Sequence, residues 1–447
     1  MKKLLSFIFI LSLLSCLIPN SVSAAESQEK MKAVWMASVY NIDFPSTKND
    51  VTAQKNEFIQ KLDKLKSLGI NTVVVQVRPK ADALYKSDIN PWSDVLTGTQ
   101  GQYPGYDPMA FMIEETHKRG MSFHAWLNPY RVTTSGTDLN ALCANHPARL
   151  HPEWVISYNN ALYYNPELQA VKDHITATVV EIVKNYNIDA VDFDDYFYPS
   201  NYPLPVNEGI DGTTANNRRQ SINDMIKQVS TAIKNTKSTV LFGVSPMGIW
   251  KNNSSDITGS NTAGNQSYYA VYADTRTWIK NGWIDYIVPQ IYWETGNKAA
   301  DYETLVKWWA DEVKGTNVKL YVGQGLYKEV IANEIDVQLK INEKYPEVGG
   351  SFYYGMGNLL GNTSDCQNKI SPFSENAPQI PQTVCSTGFV TASVLNIRSG
   401  SGTQYCIITK AAAGTEVTIL NSSPGWYYIK LPNNQTGWAC SNYIRTN

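Results

Sequence analysis

Charge of one sign, histidine and cysteine are all in short supply in this chain. Its 38 Lys and Arg face 40 Asp and Glu, a formal net charge of −2, so the basic footprint of a nucleic-acid binder is missing. Histidine occurs five times, with no i, i+4 pair that would ligate a metal from one helix face. The six cysteines have spacings that fit no zinc ribbon, and nothing near Cys143 resembles an activating histidine arrangement. No GxSxG elbow and no Ser-His-Asp arrangement is present. No glycine-rich phosphate turn follows the first apolar run, which argues against an open dinucleotide-binding sheet. No metal and no cofactor is implied.

The N-terminus carries the first positive signal. Lys2 and Lys3 precede an apolar run from Leu4 to Ile18, followed by Val22-Ser23-Ala24. That is the pattern of a secretory signal peptide over residues 1–24, and it predicts export. Leu13-Leu14-Ser15-Cys16 is a rival, lipoprotein-type processing site, although Leu17 and Ile18 continue the apolar run past that cysteine. No later segment is long and apolar enough to be transmembrane. Of the remaining cysteines, Cys385, Cys406 and Cys440 cluster near the C-terminus, where export would permit one disulfide.

From residue 31 to about 372 short apolar runs alternate with longer amphipathic segments, the pattern of parallel strands with crossover helices. Eight runs read as strands: 32–40, 71–78, 121–128, 189–196, 240–247, 285–292, 318–325 and 349–356. Eight such units predict a (β/α)₈ barrel. Residues 373–386 are Pro-rich and polar and read as a linker. Residues 387–447 break into short strand-like runs separated by Ser399-Gly400-Ser401-Gly402, Pro424-Gly425 and Asn433-Asn434, which predicts a small all-β barrel.

Residues two apart on a strand share a face, and barrel chemistry sits at the C-terminal strand ends. On that parity Asp192, Asp194 and Tyr196 share a face against Val191 and Phe193, and Gln76 and Arg78 against Val75 and Val77. Trp126 and Asn128 alternate with Leu127; Gln290, Tyr292 and Glu294 alternate with Ile291 and Trp293. Gln324 follows Val322, and Tyr354 follows Phe352. A structural barrel interior would be filled with Val, Ile and Leu, since buried charges are costly unless paired or hydrated. The pattern predicts a polar, aromatic cavity, and 12 Trp and 27 Tyr supply rings on which pyranoses stack, although large barrels use such rings structurally too.

Paired carboxylates in such a cavity are what glycoside hydrolysis needs. Asp194, near the mouth, is the first choice for nucleophile or base, with Asp192 below it as support. Asp195 has the wrong parity for a regular strand and reaches the cavity only if the strand ends there; otherwise it is a cap or an ion pair. Glu294 is the candidate general acid, its alternative being a surface-loop carboxylate. Arg78 either holds a carboxylate or substrate, or forms a structural ion pair. His124 reads as a structural histidine on the apolar parity, and Asp82, Asp88 and Asp94 as solvated loop acids. Gln76, Arg78, Trp126, Asn128, Tyr130, Tyr196, Gln290, Tyr292, Gln324 and Tyr354 are the expected substrate contacts.

Several stretches carry a family resemblance: Ala33-Val34-Trp35, VVVQVRPKADALY at 73–85, HAWLNPYR at 124–131, AVDFDDYFYP at 190–199, GVSPMGIW at 243–250 and PQIYWE at 289–294. In these, residues 31–372 resemble the glycosyl-hydrolase-like family 10 barrels of bacteria. The resemblance implies a retaining-type glycosidase relative and, for one class of members, action on peptidoglycan strands stripped of stem peptides. Asp189, Asp192 and Asp194 also look like the DxxDxDxE signature of family 18 chitinases, but Tyr196 stands where that signature has its acid. This leaves open assistance by a substrate N-acetyl group, with Asp194 or Asp195 as polariser. Residues 387–447 resemble bacterial SH3 domains, through Val394 to Gly402, Gly414-Thr415, Gly425 to Lys430 and Gly437-Trp438; such domains commonly bind cell-wall peptides or glycans. The expected partners are therefore a polysaccharide, peptidoglycan first, and the cell wall. The competing readings are a glycosidase for another polysaccharide and a non-catalytic wall-binding protein.

Overall fold

The computed structural model describes residues 30–371 and 386–446, apart from positions 399, 404, 406, 424 and 434. The expected leader with Cys16, the linker up to residue 385, Cys385 and Cys406 lie outside those residues. Within the first stretch the strands are β1 (Met31–Met36), β2 (Thr72–Arg78), β3 (Ser122–Leu127), β4 (Val155–Tyr158), β5 (Ala161–Tyr164), β6 (Ala190–Phe193), β7 (Leu241–Val244), β8 (Tyr286–Ile287), β9 (Lys319–Gly325) and β10 (Val348–Tyr354). Eight of them close into a barrel in the order β1-β10-β9-β8-β7-β6-β3-β2, and its pairings are parallel. β4 and β5 form an antiparallel hairpin inside the long loop after β3.

Local chemistry explains why the elements start and stop where they do. β2 reads TVVVQVR, a β-branched run suited to a strand buried on both faces. Three of the crossover helices begin at acidic caps: Asp50, Asp107 and Asp301 accept from the backbone N–H of Ala53, Ala110 and Thr304. Gly69 and Gly120 follow the first two long helices with φ of +75° and +62°, the left-handed turn that lets the chain re-enter the sheet. β8 is far shorter than the expected 285–292. Pro289 has no N–H to donate, and beyond it strand pairing is reduced to isolated bridges from Gln290 to Met247 and Gly323.

Two apolar layers result. Outside the barrel, Val73, Val75, Val77, Phe123, Ala125, Leu127, Val191 and Phe193 pack on the helices. Inside it, Ala33, Trp35, Val74, Trp126, Ala190, Tyr286 and Phe352 form a separate cluster. Burial of the outer layer at about 25 cal/mol per Å² of apolar surface is the main stabilising term.

The second stretch contains β11 (Ser386–Val390), β12 (Val394–Arg398), β13 (Ile407–Ala412), β14 (Glu416–Ser423), β15 (Trp426–Lys430), β16 (Thr436–Cys440) and β17 (Ile444–Thr446). They form an antiparallel sheet in the order β13-β12-β16-β15-β14-β11-β17. Its own small core is built on Val390, Leu395, Ile397, Val417, Ile419, Ile429 and Ala439. Among the described residues Cys143, Cys366 and Cys440 are free, and no helix is long and apolar enough to cross a membrane.

Candidate active site

The barrel interior is polar at two levels. At the lower one Asp192 is fully buried on β6. Its Oδ2 accepts from the Tyr286 hydroxyl and lies 3.0 Å from His124 Nδ1. His124 therefore faces the interior, sharing the parity of Trp126, and not the apolar face expected for it. Asp192 is held from below the mouth, which fits a supporting carboxylate.

One turn of the pleat higher, Asp194 is buried. Its Oδ2 accepts from Trp126 Nε1 at 3.0 Å and Asn128 Nδ2 at 3.1 Å, and its Oδ1 from the Tyr196 N–H at 3.3 Å. Burial pushes its pKa up to about 7; Asp195 pushes in the same direction, while Arg131 and the Trp126 and Tyr196 donors oppose it. Regular pairing stops at Phe193, so the residue after Asp194 is released from strand parity. Asp195 is half-buried, accepts from Gln290 Nε2 at 3.0 Å, and is likewise raised, by burial first. Gln290 also donates to the Ser245 carbonyl at 3.0 Å, which fixes its amide. Two adjacent carboxyls, both raised, thus stand at the C-terminal end of β6.

Aromatic rings surround them. Tyr292 and Tyr354 stack with centroids 5.9 Å apart and planes 11° apart, and Tyr327 stands edge-on to both. Tyr196 is 47% exposed, with the Arg131 guanidinium 4.2 Å over its ring. Arg131 and Tyr327 were not singled out from the sequence. Both lie past a strand end, where the two-residue period no longer says which way a side chain points.

Other expected residues have different neighbours. Gln76 gives its side-chain oxygen to the N–H groups of Ser38 and Val39, at 3.1 and 2.9 Å, tying down the loop after β1. Arg78 is not in the cavity. The pairing of β2 with β3 shifts register between Gln76 and Arg78, and the buried guanidinium donates to the carbonyls of Asn128 and Pro129. It therefore positions the segment that carries Asn128, and among the described residues it forms no ion pair with a carboxylate. Tyr130 is fully buried. Gln324 shares a face with Leu320 and Val322, which belong to the outer layer, and donates to the Tyr302 hydroxyl of the Tyr302–Val313 helix. Tyr321, on the opposite parity of β9, is the side chain packed against the interior cluster.

Glu294, expected as the general acid, is hydrogen-bonded within its own loop. Asn297 Nδ2 donates to it at 2.8 Å, and that bond, the loop backbone and Lys328 lower its pKa. A proton donor needs the opposite shift; at this mouth Asp194 has it. Asp82, expected to be solvated, is buried beside Lys80 and raised to about 6, mainly by burial. Among the described residues no three His, Cys, Asp or Glu side chains are grouped as a metal site would require.

Residues 30–341 match the family described as Glycosyl hydrolase-like 10, and residues 393–445 match the Bacterial SH3 domain. Glycosyl hydrolase YngK of Bacillus subtilis (strain 168) is 46% identical over 385 residues, which are 80% of this chain and 75% of that protein. Glycosyl hydrolase DigH of Escherichia coli (strain K12) is 40% identical over 366 residues, 74% of this chain and 83% of that one. Among solved structures, the glycoside hydrolase domain of PgaB (BpsB) from Bordetella bronchiseptica overlays with a TM-score of 0.49 at 10% identity, covering 76% of this chain and 98% of that one. This chain is a glycosidase of the Glycosyl hydrolase-like 10 family, with a bacterial SH3 domain following its barrel.

Proposed function

We propose that the protein is exported and cuts glycosidic bonds in peptidoglycan strands, preferring N-acetylated glycan freed of its stem peptides, with Asp194 and Asp195 as the reacting pair. The observation that carries this is the Asp194 carboxyl, seated by Trp126 and Asn128 at the barrel mouth and raised to about 7 beside a second acid. Close carboxyls split their ionisation, so the pair holds one proton near neutral pH. Asp194 carries that proton and gives it to the leaving glycosidic oxygen. Asp195, held by Gln290, keeps the charge and accepts the N–H of the substrate's acetamido group. The acetamido carbonyl oxygen then attacks the anomeric carbon as the leaving sugar departs. Water opens the cyclic intermediate and returns its proton to Asp194, so the anomeric configuration is retained. Two adjacent acids suffice for this route, whereas a protein nucleophile would need a second carboxylate across the cavity.

The leader-like pattern at residues 1–24 and the bacterial SH3 domain support this reading of action at the cell wall. Intact and amidase-stripped sacculi, scored for new reducing ends, test the substrate. Release from stripped material is expected, and release only from chitin or plant glycans would move the assignment to another polysaccharide. Asp194→Asn and Asp195→Asn are each expected to lower kcat by about 10²–10⁴-fold, and Glu294→Gln to leave it within a few-fold. The rate should fall as pH rises through about 7, because the donor loses its proton there. Binding to sacculi without release in the parent protein, unchanged in the Asp194 variant, would favour a non-catalytic wall binder.

A further inference from the structure

The turn after β1 holds an exposed ring in a backbone conformation that its residue type disfavours. Tyr40 has φ +56° and ψ +14°, and Asn41 follows at φ +55°. The left-handed region suits glycine and tolerates asparagine; a bulky aromatic there is strained. The surroundings enforce it. Gln76 accepts from the N–H groups of Ser38 and Val39 on one side of the ring. Asn41 Nδ2 donates to the carbonyls of Pro45 and Val95 on the other. Asp43, buried, accepts from the Ala37 N–H and closes the loop.

The fold gains little in return: Lys80 is near enough to interact electrostatically with Tyr40, but most of the ring is left in solvent. Tyr40 is 69% exposed, and among the described residues its ring stacks on no aromatic side chain and lies under no cation. Strain kept where packing does not reward it marks a functional position. The loop borders the mouth: Asp43 stands close enough to Tyr354 to add to the upward shift that burial causes there. Around the barrel, β1 lies three strands from β6 by way of β2 and β3. Tyr40 and Tyr196 therefore stand on different sides of the opening, with the two carboxyls at the Tyr196 side.

We propose that Tyr40 is the stacking platform of a remote sugar subsite, binding a glycan residue removed from the bond that Asp194 and Asp195 cut. The proposal rests on the reading of the mouth as a glycan cleft and adds that the cleft takes a strand and not a single sugar. The strained turn holds the Cα–Cβ bond so that the ring projects into solvent, where a pyranose face can settle on it.

The test uses the full chain and glycan from peptide-stripped sacculi, separated into long strands and tetrasaccharide. Tyr40→Asn and Tyr40→Gly remove the ring and the strain together, and Tyr40→Phe keeps the ring. For Asn and Gly, KM on long strands should rise by roughly three- to tenfold with kcat unchanged, the size of one aromatic contact. Tetrasaccharide kinetics should not move, Tyr40→Phe should match the parent, and Tm of Asn and Gly should rise by roughly 2 °C. Long-strand KM equal to the parent's in Tyr40→Asn and Tyr40→Gly would overturn the proposal while leaving the catalytic pair untouched. So would a fall in Tm accompanied by equal losses on both substrates, which marks a structural residue. A parent protein that neither binds nor cuts either substrate overturns this proposal and the reading of the mouth together.

Discussion

Below the mouth, a glycine decides whether the acids are held. Gly243 faces the barrel interior beside Tyr286, and a Cβ there would lie 2.0 Å from the tyrosine ring. That ring cannot swing away, because its hydroxyl is bound to Asp192 and His124. Gly243→Ala is therefore expected to cost about 1–3 kcal/mol through overpacking, read as a lower Tm, and to reduce kcat by disturbing the level on which Asp194 rests. Tyr286→Phe removes a donor from the buried Asp192 carboxylate and should cost a similar ~1–3 kcal/mol without overpacking. Asp194 gives stability a pH dependence of known sign. Its folded pKa, about 7, lies above the ordinary value of about 3.9, so the folded state binds the extra proton. The associated stability is complete below about pH 4 and is lost as pH rises through about 7. Asp194→Asn should flatten that part of the Tm-against-pH curve, and a slope identical to the parent's would refute the shifted carboxyl. None of this pairing was legible residue by residue. The two-residue period put Asp192 and Asp194 on one face, but which donors meet them depends on the register of β3 and β7 against β6.

Between residues and the whole barrel, the elements are set by their ends. Asp107 caps the Pro108–Lys118 helix through the Ala110 N–H and also accepts from the Tyr186 hydroxyl at 2.6 Å, joining that helix to the end of Gln169–Asn185. Asp107→Ala removes both bonds and is expected to lower stability by about 1–2 kcal/mol with KM unchanged, measured by denaturant titration and steady-state kinetics. Strand ends also explain where expectation and structure part. Apolar alternation located all eight barrel strands, because alternation is a local consequence of the pleat. The two-residue period does not place Arg78 or Gln324, for separate reasons: a register shift at the end of β2 and the outward parity of Gln324 on β9.

The molecule as a whole joins two units with separate cores, one in the barrel wall and one in the small antiparallel sheet. Catalysis and the proposed wall attachment should be separable on that account. A chain ending at residue 372 is expected to hydrolyse soluble glycan strands at the parental rate and to lose most of its retention on sacculi in a pull-down assay. A large fall in kcat on soluble strands would show that the second unit takes part in the reaction. The barrel architecture, the SH3-like tail and the acidic end of β6 could all be read from a one-dimensional string, since they follow from side-chain period, turn chemistry and motif. Folding had to supply the rest: that Asp195 joins Asp194 where the strand stops, that Trp126 meets Asp194, and that Tyr40 is lifted into solvent. Those outcomes depend on hydrogen bonds between segments 38 to 95 residues apart, and no short-range pattern encodes contacts over that range.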